Sequence, residues 1–361
     1  MTDLKNVWLD ADPGHDDATA IMLAIHLDNI NLLGVSTVHG NGPAICSASN
    51  AARCLHAFGA PKDVLVFPGA VKPLIKKARH DPEIHGADGL GGVVGLPSPE
   101  SVEVQARFAR HPDGTPIHAL EGMSRAIRDT WKNGAGRKVS VVSCGPMTNI
   151  ALFVSVYPEL LDGVEQFVFM GGAVGLGNRS PVAEFNIICD PEATQIVLDA
   201  PVKTIMVPLN VTHMAIATNE VHSKLRNPSD PSLTNNGDLP LPSSALRHTL
   251  STLISFFADT YRATFGFNEG PPLHDPLTVA YVSQPELFKS QRYRVDVELH
   301  GIHTAGETVV DVWHYRSCDD SWGANGKNCL VTESVQVERF FDMLSECVSK
   351  CDKISPLNLS T

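Results

Sequence analysis

The densest chemistry in the chain is one string, Asp10-Ala11-Asp12-Pro13-Gly14-His15-Asp16-Asp17. Its four carboxylates repel one another unless a cation neutralises them. Hard divalent ions such as Ca2+ or Mg2+ take oxygen ligands and suit such a cluster. Asp16 and Asp17 also stand where a helix should start and its dipole favours negative charge, so a turn with a helix cap is the plainer alternative for any single Asp. Four together favour the metal, although Asp10 on its own reads as structural.

Other polar groups fall at strand or helix ends. His274-Asp275-Pro276 opens an apolar helical stretch. Asp275 is a further carboxylate for a metal and His274 a general acid near neutrality; taken alone, the tripeptide is a capping Asp beside a surface His. Glu184-Phe185-Asn186, with Asn178 upstream, offers paired acceptors and donors that suit the vicinal hydroxyls of a sugar. Side-chain bonds that merely stabilise the loop explain the same residues equally well. The glycines of GGAVGLG stand in the wrong order for a dinucleotide loop, with no helix start behind them. Asn41 follows a strand in HGNGP. Cys144, in VVSCGPMTN, has no adjacent His or helix-start cation to lower its thiol pKa, but its backbone carbonyl suits a metal whatever the side chain is.

The elements that must position these groups alternate regularly. Apolar runs at 7–11, 32–38, 64–67, 139–143, 166–170 and 204–209 read as strands, with helical spacing from 18, over 44–58, from 150 and over 246–265. Strands that are apolar throughout, rather than alternating, predict an α/β fold: an open, mainly parallel central sheet with helices on both faces. Ligands of such sheets bind beyond the carboxyl ends of the strands, where every string above lies. Residues 80–99 are glycine-rich without apolar periodicity and read as a flexible binding loop; 227–244 reads as a connection. From about 292 to 361 a C-terminal elaboration is expected, with strands over 292–300 and 307–313, a polar insertion and a last helix over 338–350. No repeat or domain boundary interrupts 1–361, so a single domain is expected.

Composition narrows the partners. The 361 residues carry 28 Lys plus Arg against 40 Asp plus Glu, a formal net charge of −12. An acidic chain without a basic cluster is a poor match for nucleic acid or an anionic membrane. No apolar run spans a bilayer and no leader precedes the first strand, so a cytoplasmic protein is expected. The 8 cysteines form no C-x-x-C pair and read as reduced thiols.

Asp12-Pro13-Gly14-His15-Asp16-Asp17-Ala18, then His39-Gly40-Asn41, Met170-Gly171-Gly172, Glu184-Phe185-Asn186 and His274-Asp275-Pro276, in that order, resemble the inosine–uridine-preferring nucleoside hydrolases. The SCGPMTN and GLGNRS strings are similar to those of the fungal uridine-nucleosidase branch. The resemblance implies a Rossmann-like α/β core and a bound Ca2+ held by Asp12, Asp17, Asp275 and the main-chain oxygen of Cys144, where many members have Thr. It implies ribose binding by Asp16, Asn41, Asn178, Glu184 and Asn186. It further implies that Asp12 deprotonates a metal-bound water, that His274 and His85 line a nucleobase pocket, and that the chain is a homo-oligomer, dimer or tetramer. Phe256, Phe257 and Tyr261 would then wall that pocket, unless they pack only the core.

The implied activity is hydrolysis of the N-glycosidic bond of ribonucleosides through an oxocarbenium-like sugar, with the leaving base activated by proton donation from His274 or by stacking and desolvation of the base. Two alternatives remain. A haloacid-dehalogenase-like Mg-dependent phosphohydrolase would use Asp10 and Asp12 but leaves Asp16, Asp17 and His274-Asp275 unexplained. A non-catalytic nucleoside-binding protein would have no need of the water-activating carboxylates.

Overall fold

The computed structural model describes residues 4–233 and 238–359. Among them, eight strands form the central sheet: β1 (Lys5–Ala11), β2 (Ile30–Thr37), β3 (Val66–Pro68), β4 (Val139–Ser143), β5 (Val164–Met170), β6 (Thr204–Val207), β7 (Phe288–Tyr293) and β10 (Cys329–Val335). Their order is β3-β2-β1-β4-β5-β6-β10-β7, parallel throughout except for β7, which runs antiparallel to β10 on the edge. β8 (Val295–Val297) and β9 (Thr308–Val310) pair separately as an antiparallel ribbon.

Both faces of the sheet are covered, as its fully buried central strands β4 and β6 require. Val7, Leu9 and Ala11 of β1 pack into one core with the helices His15–His26, Ala44–Ala57, Pro276–Ser283 and Val337–Ile354. Trp8 enters the opposite core with Met147, Ile150 and Phe153, between the helices Ala119–Trp131 and Thr148–Val156. The β1–β2 register sets Trp8 against Gly34, where a Cβ would come within 2.8 Å of the indole; the ring therefore demands glycine. Each fully buried Leu, Val or Phe contributes about 1.5–3 kcal/mol, so the strand ends stand on a rigid base.

Four expectations need correction. The strand expected over 292–300 breaks at Arg294. This buried side chain bonds Asp296 and the carbonyls of Gly323 and Ala324, turning the chain from β7 into the separate ribbon. β10 was not expected, yet it completes the sheet between β6 and β7. The run at 204–209 ends as a strand at Val207, because Pro208 has no N–H for the ladder and Leu209–Thr212 turns helical. The 80–99 loop contains one helical turn, Pro82–His85. Of the connection over 227–244, residues 234–237 lie outside the described residues.

Candidate active site

The carboxyl ends of the strands converge on a cleft of about 390 Å3. β1 delivers Asp12, and Pro13-Gly14 turn the chain at once into the helix His15–His26, which carries Asp16 and Asp17 in its first turn. Asp17 clasps that turn, accepting the N–H of Asp12 at 3.2 Å and of Gly14 at 2.9 Å. Asn41, beyond β2, donates its N–H to Asp12 at 2.7 Å and its side-chain amide to Asp17 at 3.1 Å. Asp275 precedes the helix Pro276–Ser283, and its carboxyl comes within 4.8 Å of that of Asp17. Asp16 accepts from the backbone of His274 and Asp275, which ties the first and last motifs together.

Two glycines make room for Asp12. A Cβ on Gly145 would stand 2.4 Å from its Oδ1, and one on Gly40 would collide with Oδ2. Asp12 and Asp17 are 0 % exposed, and Asp12 Oδ1 is buried with no hydrogen-bond partner. Burial, reinforced by the neighbouring carboxylates, pushes Asp12 and Asp275 well above the ordinary carboxylate range and Asp16 to about 8. Burial raises Asp17 too. Such a cluster stays ionised only beside a compensating cation. Asp17, Cys144 and Asp275 bring potential ligand atoms within 4.8 Å of one another. Burial raises the Cys144 thiol well above its usual pKa, so it stays protonated, and its contact is Thr278 Oγ1 at 3.7 Å. The carbonyl of Cys144 is the better donor to a hard ion; Asn186 Nδ2 already bonds it at 2.8 Å, which leaves one lone pair. All these donors are oxygens and fit Ca2+.

The carboxamide set surrounds the same cleft. Glu184 caps the short helix Phe185–Cys189, accepting from the N–H groups of Gly172, Asn186 and Ile187; burial nonetheless raises it to about 7. Asn178 Oδ1 accepts from Phe185 N at 2.9 Å, so its amide hydrogens remain for a ligand. Asn186 Nδ2 is spent on Cys144 and Met170 carbonyls, which leaves its oxygen as an acceptor. These side chains therefore stabilise their loops and still present the free half of each amide to the cleft.

The opposite wall is aromatic. His85, Phe257, Tyr261 and His274 all line the cleft. His274 Nε2 lies 2.7 Å from the Tyr261 hydroxyl and Nδ1 2.7 Å from Thr212 Oγ1; burial lowers its pKa well below that of free histidine. Phe257 packs edge-on to Tyr261 and, being 1 % exposed, serves core and wall alike. Phe256 stacks on His15 behind this wall.

Three residues at the cleft were not singled out from sequence. Asp81 and Arg179 pair across it, joining the 80–99 loop to the loop beyond β5, and Arg179 lies over the rings of Phe185 and Phe265. His15 contacts His85 from behind. Asp81 and Arg179 stand in aperiodic loops, and their pairing becomes visible only in three dimensions. Asp10 is fully buried and its carboxylate is tied to Ser36 and Asn149, so the phosphohydrolase alternative, which needs it as nucleophile, finds no support.

A floor of buried carboxylates admits a small polar molecule and repels the phosphates of a nucleic acid, which places the chain among α/β enzymes of small substrates. The model of the inosine-uridine preferring nucleoside hydrolase family matches residues 7–342, and the chain belongs to that family. It is 35 % identical to a probable ribonucleoside hydrolase of Dictyostelium discoideum, over 97 % of this chain and 96 % of that one. It is 37 % identical to a pyrimidine-specific ribonucleoside hydrolase of Shewanella woodyi, over 95 % and 97 %. The solved purine-preferring ribonucleoside hydrolase from Gardnerella vaginalis superimposes with a TM-score of 0.79 at 26 % identity, covering 97 % of this chain and 100 % of its own. Among the described residues no helix is long and apolar enough to cross a membrane.

Proposed function

We propose that the protein hydrolyses the N-glycosidic bond of ribonucleosides, releasing free nucleobase and ribose, with Ca2+ held by Asp12, Asp17, Asp275 and the carbonyl of Cys144. The observation that carries this reading is Asp12 Oδ1, buried without a partner among carboxylates whose ionisation needs a cation. When bound, Ca2+ would supply Lewis acidity, lowering the pKa of a water beside the sugar. Asp12 is the carboxylate placed to accept a proton from a water that attacks the anomeric carbon. Asp16, Asn41, Asn178, Glu184 and Asn186 grip the ribose hydroxyls, with Asn178 as donor and Asn186 as acceptor. Negative potential from the same carboxylates stabilises the positive charge that develops on the ring. On the other side of the bond, Thr212 Oγ1 and the Tyr261 hydroxyl each lie 2.7 Å from a ring nitrogen of His274 and hold the imidazole in the wall that faces the leaving base, where Tyr261 and His274 stabilise the departing base by hydrogen bonding. His85 and Phe257 complete the base wall.

The same reading carries a single-domain homo-oligomer, dimer or tetramer, in the cytoplasm; light scattering on the purified protein tests the assembly. The decisive assay incubates the protein with inosine, uridine, cytidine and adenosine in phosphate-free buffer and measures free ribose, with and without prior chelation. Ribose release that is lost on chelation and restored by Ca2+ is expected. No ribose from any nucleoside, whatever the metal, would overturn the reading.

A further inference from the structure

A second cleft opens at the amino ends of the strands, away from the chemistry above. The apolar core on one face of the sheet takes Val7, Val142, Val168 and Ile205 from the neighbouring strands β1, β4, β5 and β6. Side chains of a strand alternate between faces, so the residues two steps earlier share that face. They are Lys5, Ser140, Gln166 and Lys203, a polar row where the core stops. The register aligns the row: Ser140 stands opposite Val7 on one side and Gln166 on the other, and the N–H of Phe167 donates to the carbonyl of Lys203 at 2.9 Å. The last turn of the helix Pro276–Ser283 closes the row at one end. Lys5 Nζ donates to the carbonyls of Val282 and Ser283 at 2.6 and 3.1 Å, and Tyr281 lines the same cleft.

Charge in this cleft runs against that of the whole chain. Lys5, Arg137, Lys138 and Lys203 face the single carboxylate of Glu165, whereas the formal net charge of the protein is −12. Lys138 and Lys203 make no ion pair among the described residues. Water alone explains cations on a rim, but it does not explain the floor. Ser140 is 4 % and Gln166 9 % exposed; Gln166 Nε2 donates to Ser140 Oγ at 3.3 Å, which leaves the Ser140 hydrogen and Gln166 Oε1 over. Tyr281 is 4 % exposed, yet its hydroxyl has no hydrogen-bond partner among the described residues. Buried tyrosine hydroxyls are normally paired, and a phenylalanine would fill the same space without leaving an oxygen over.

We propose that this lower cleft is a binding site for a small sugar phosphate, with Lys138 and Lys203 on the phosphate and Ser140, Gln166 and Tyr281 on the sugar hydroxyls. A phosphate monoester carries about −1.5 to −2 charges near neutrality and suits a pair of unpaired lysines. A sugar needs donors and acceptors together: the Tyr281 and Ser140 hydroxyls donate, and Gln166 Oε1 accepts. The upper cleft, floored by carboxylates, repels the same anion, so the two ends of the sheet select ligands of opposite charge. This site is separate from the hydrolytic one and does not rest on its assignment.

Calorimetric titration of the full-length protein in Ca2+ buffer, with ribose 5-phosphate as the probe, tests the site. Binding with a Kd of about 100 μM or tighter is expected, and inorganic phosphate should bind about 10-fold more weakly or worse. Lys203→Glu should weaken ribose 5-phosphate by about 30-fold or more, because repulsion replaces attraction. Tyr281→Phe should weaken it by about 3- to 10-fold and leave inorganic phosphate unchanged. It removes a hydroxyl with no partner in the protein, so it should fold as the wild type does and decide the matter even if Lys203→Glu fails to fold. Binding that neither variant weakens would put the anion elsewhere and overturn the proposal, as would no binding of ribose 5-phosphate up to about 5 mM. Inorganic phosphate binding as tightly as the sugar phosphate would overturn the sugar contacts. Uridine 5′-monophosphate binding more tightly than ribose 5-phosphate, in a way that Lys203→Glu abolishes, would make the ligand a nucleotide and overturn the class proposed.

Discussion

The two ends of the central sheet differ in a way that cavity size conceals. At the carboxyl ends of the strands the cleft is about 390 Å3 and its ionisable groups, the half-buried Arg179 apart, are buried. At the amino ends a wider cleft of about 1010 Å3 is lined by Lys5, Arg137, Lys138, Glu165 and Lys203. These lower charges are half-buried or exposed; Lys5 reaches the carbonyl of Val282 at 2.6 Å, and Arg137 that of Leu4 at 2.9 Å. The parallel strands explain the asymmetry. Their carboxyl ends lead into loops and helix N-termini, which supply convergent polar groups, whereas water solvates the charges at the amino ends. Chemistry follows from held, desolvated charge rather than from volume.

The largest effect should separate the two ends most sharply. Asp12→Ala should lower kcat/KM by about 10^3-fold or more and abolish Ca2+ binding by calorimetry. Near-wild-type turnover would dissolve the distinction between the ends.

Next comes pH. Asp16 at about 8, with Asp10 and Glu184 at about 7, have folded pKa values raised above their unfolded ones, so the folded state binds more protons than the unfolded state. Metal-free stability must therefore fall as pH rises from 7.5 to 8.5. Over that window buried histidines such as His15, lowered to about 4, are neutral in the folded state and nearly so in the unfolded chain, whose histidines titrate near 6.5. Ca2+ should restore more Tm at pH 8.5 than at pH 7.5. A metal-free Tm that is flat or rising across this range would show that the cluster is already compensated from within.

Cys144→Thr comes third. If the carbonyl is the ligand, Ca2+ affinity and kcat/KM should stay within about 10-fold of wild type; loss of Ca2+ binding would assign the sulfur instead. Smallest of all, Lys138→Ala and Lys203→Ala at the lower end should change stability by no more than about 0.5 kcal/mol and leave ribose release unaltered. A marked loss of activity there would make the larger cleft catalytic.

What could be read in advance was what repeats or clusters. Continuous apolar runs announced β1, β2, β4 and β5, and the strings around Asp12 and Asp275 announced the floor of the cleft. β10, CLVTESV, has mixed polarity and hid behind a polar insertion; its place depends on β6 and β7, far away in sequence. Arg294 broke an apparently continuous strand through contacts with residues 323 and 324, which no local pattern encodes. Asp81, Arg179 and the orientation of His15 likewise depend on loop-to-loop contacts.

The late arrival of β10 has a consequence for how the molecule is made. β6 gains its second neighbour, and β7 its only one among the described residues, when Cys329–Val335 emerges. Until then a growing chain carries an unpaired edge beside a formed parallel core, the kind of edge that templates association between chains. Folding of this protein should accordingly be slow to commit, because pairings over such separations must close before the sheet is sealed. The nascent chain would be most prone to aggregate just before its last strand appears.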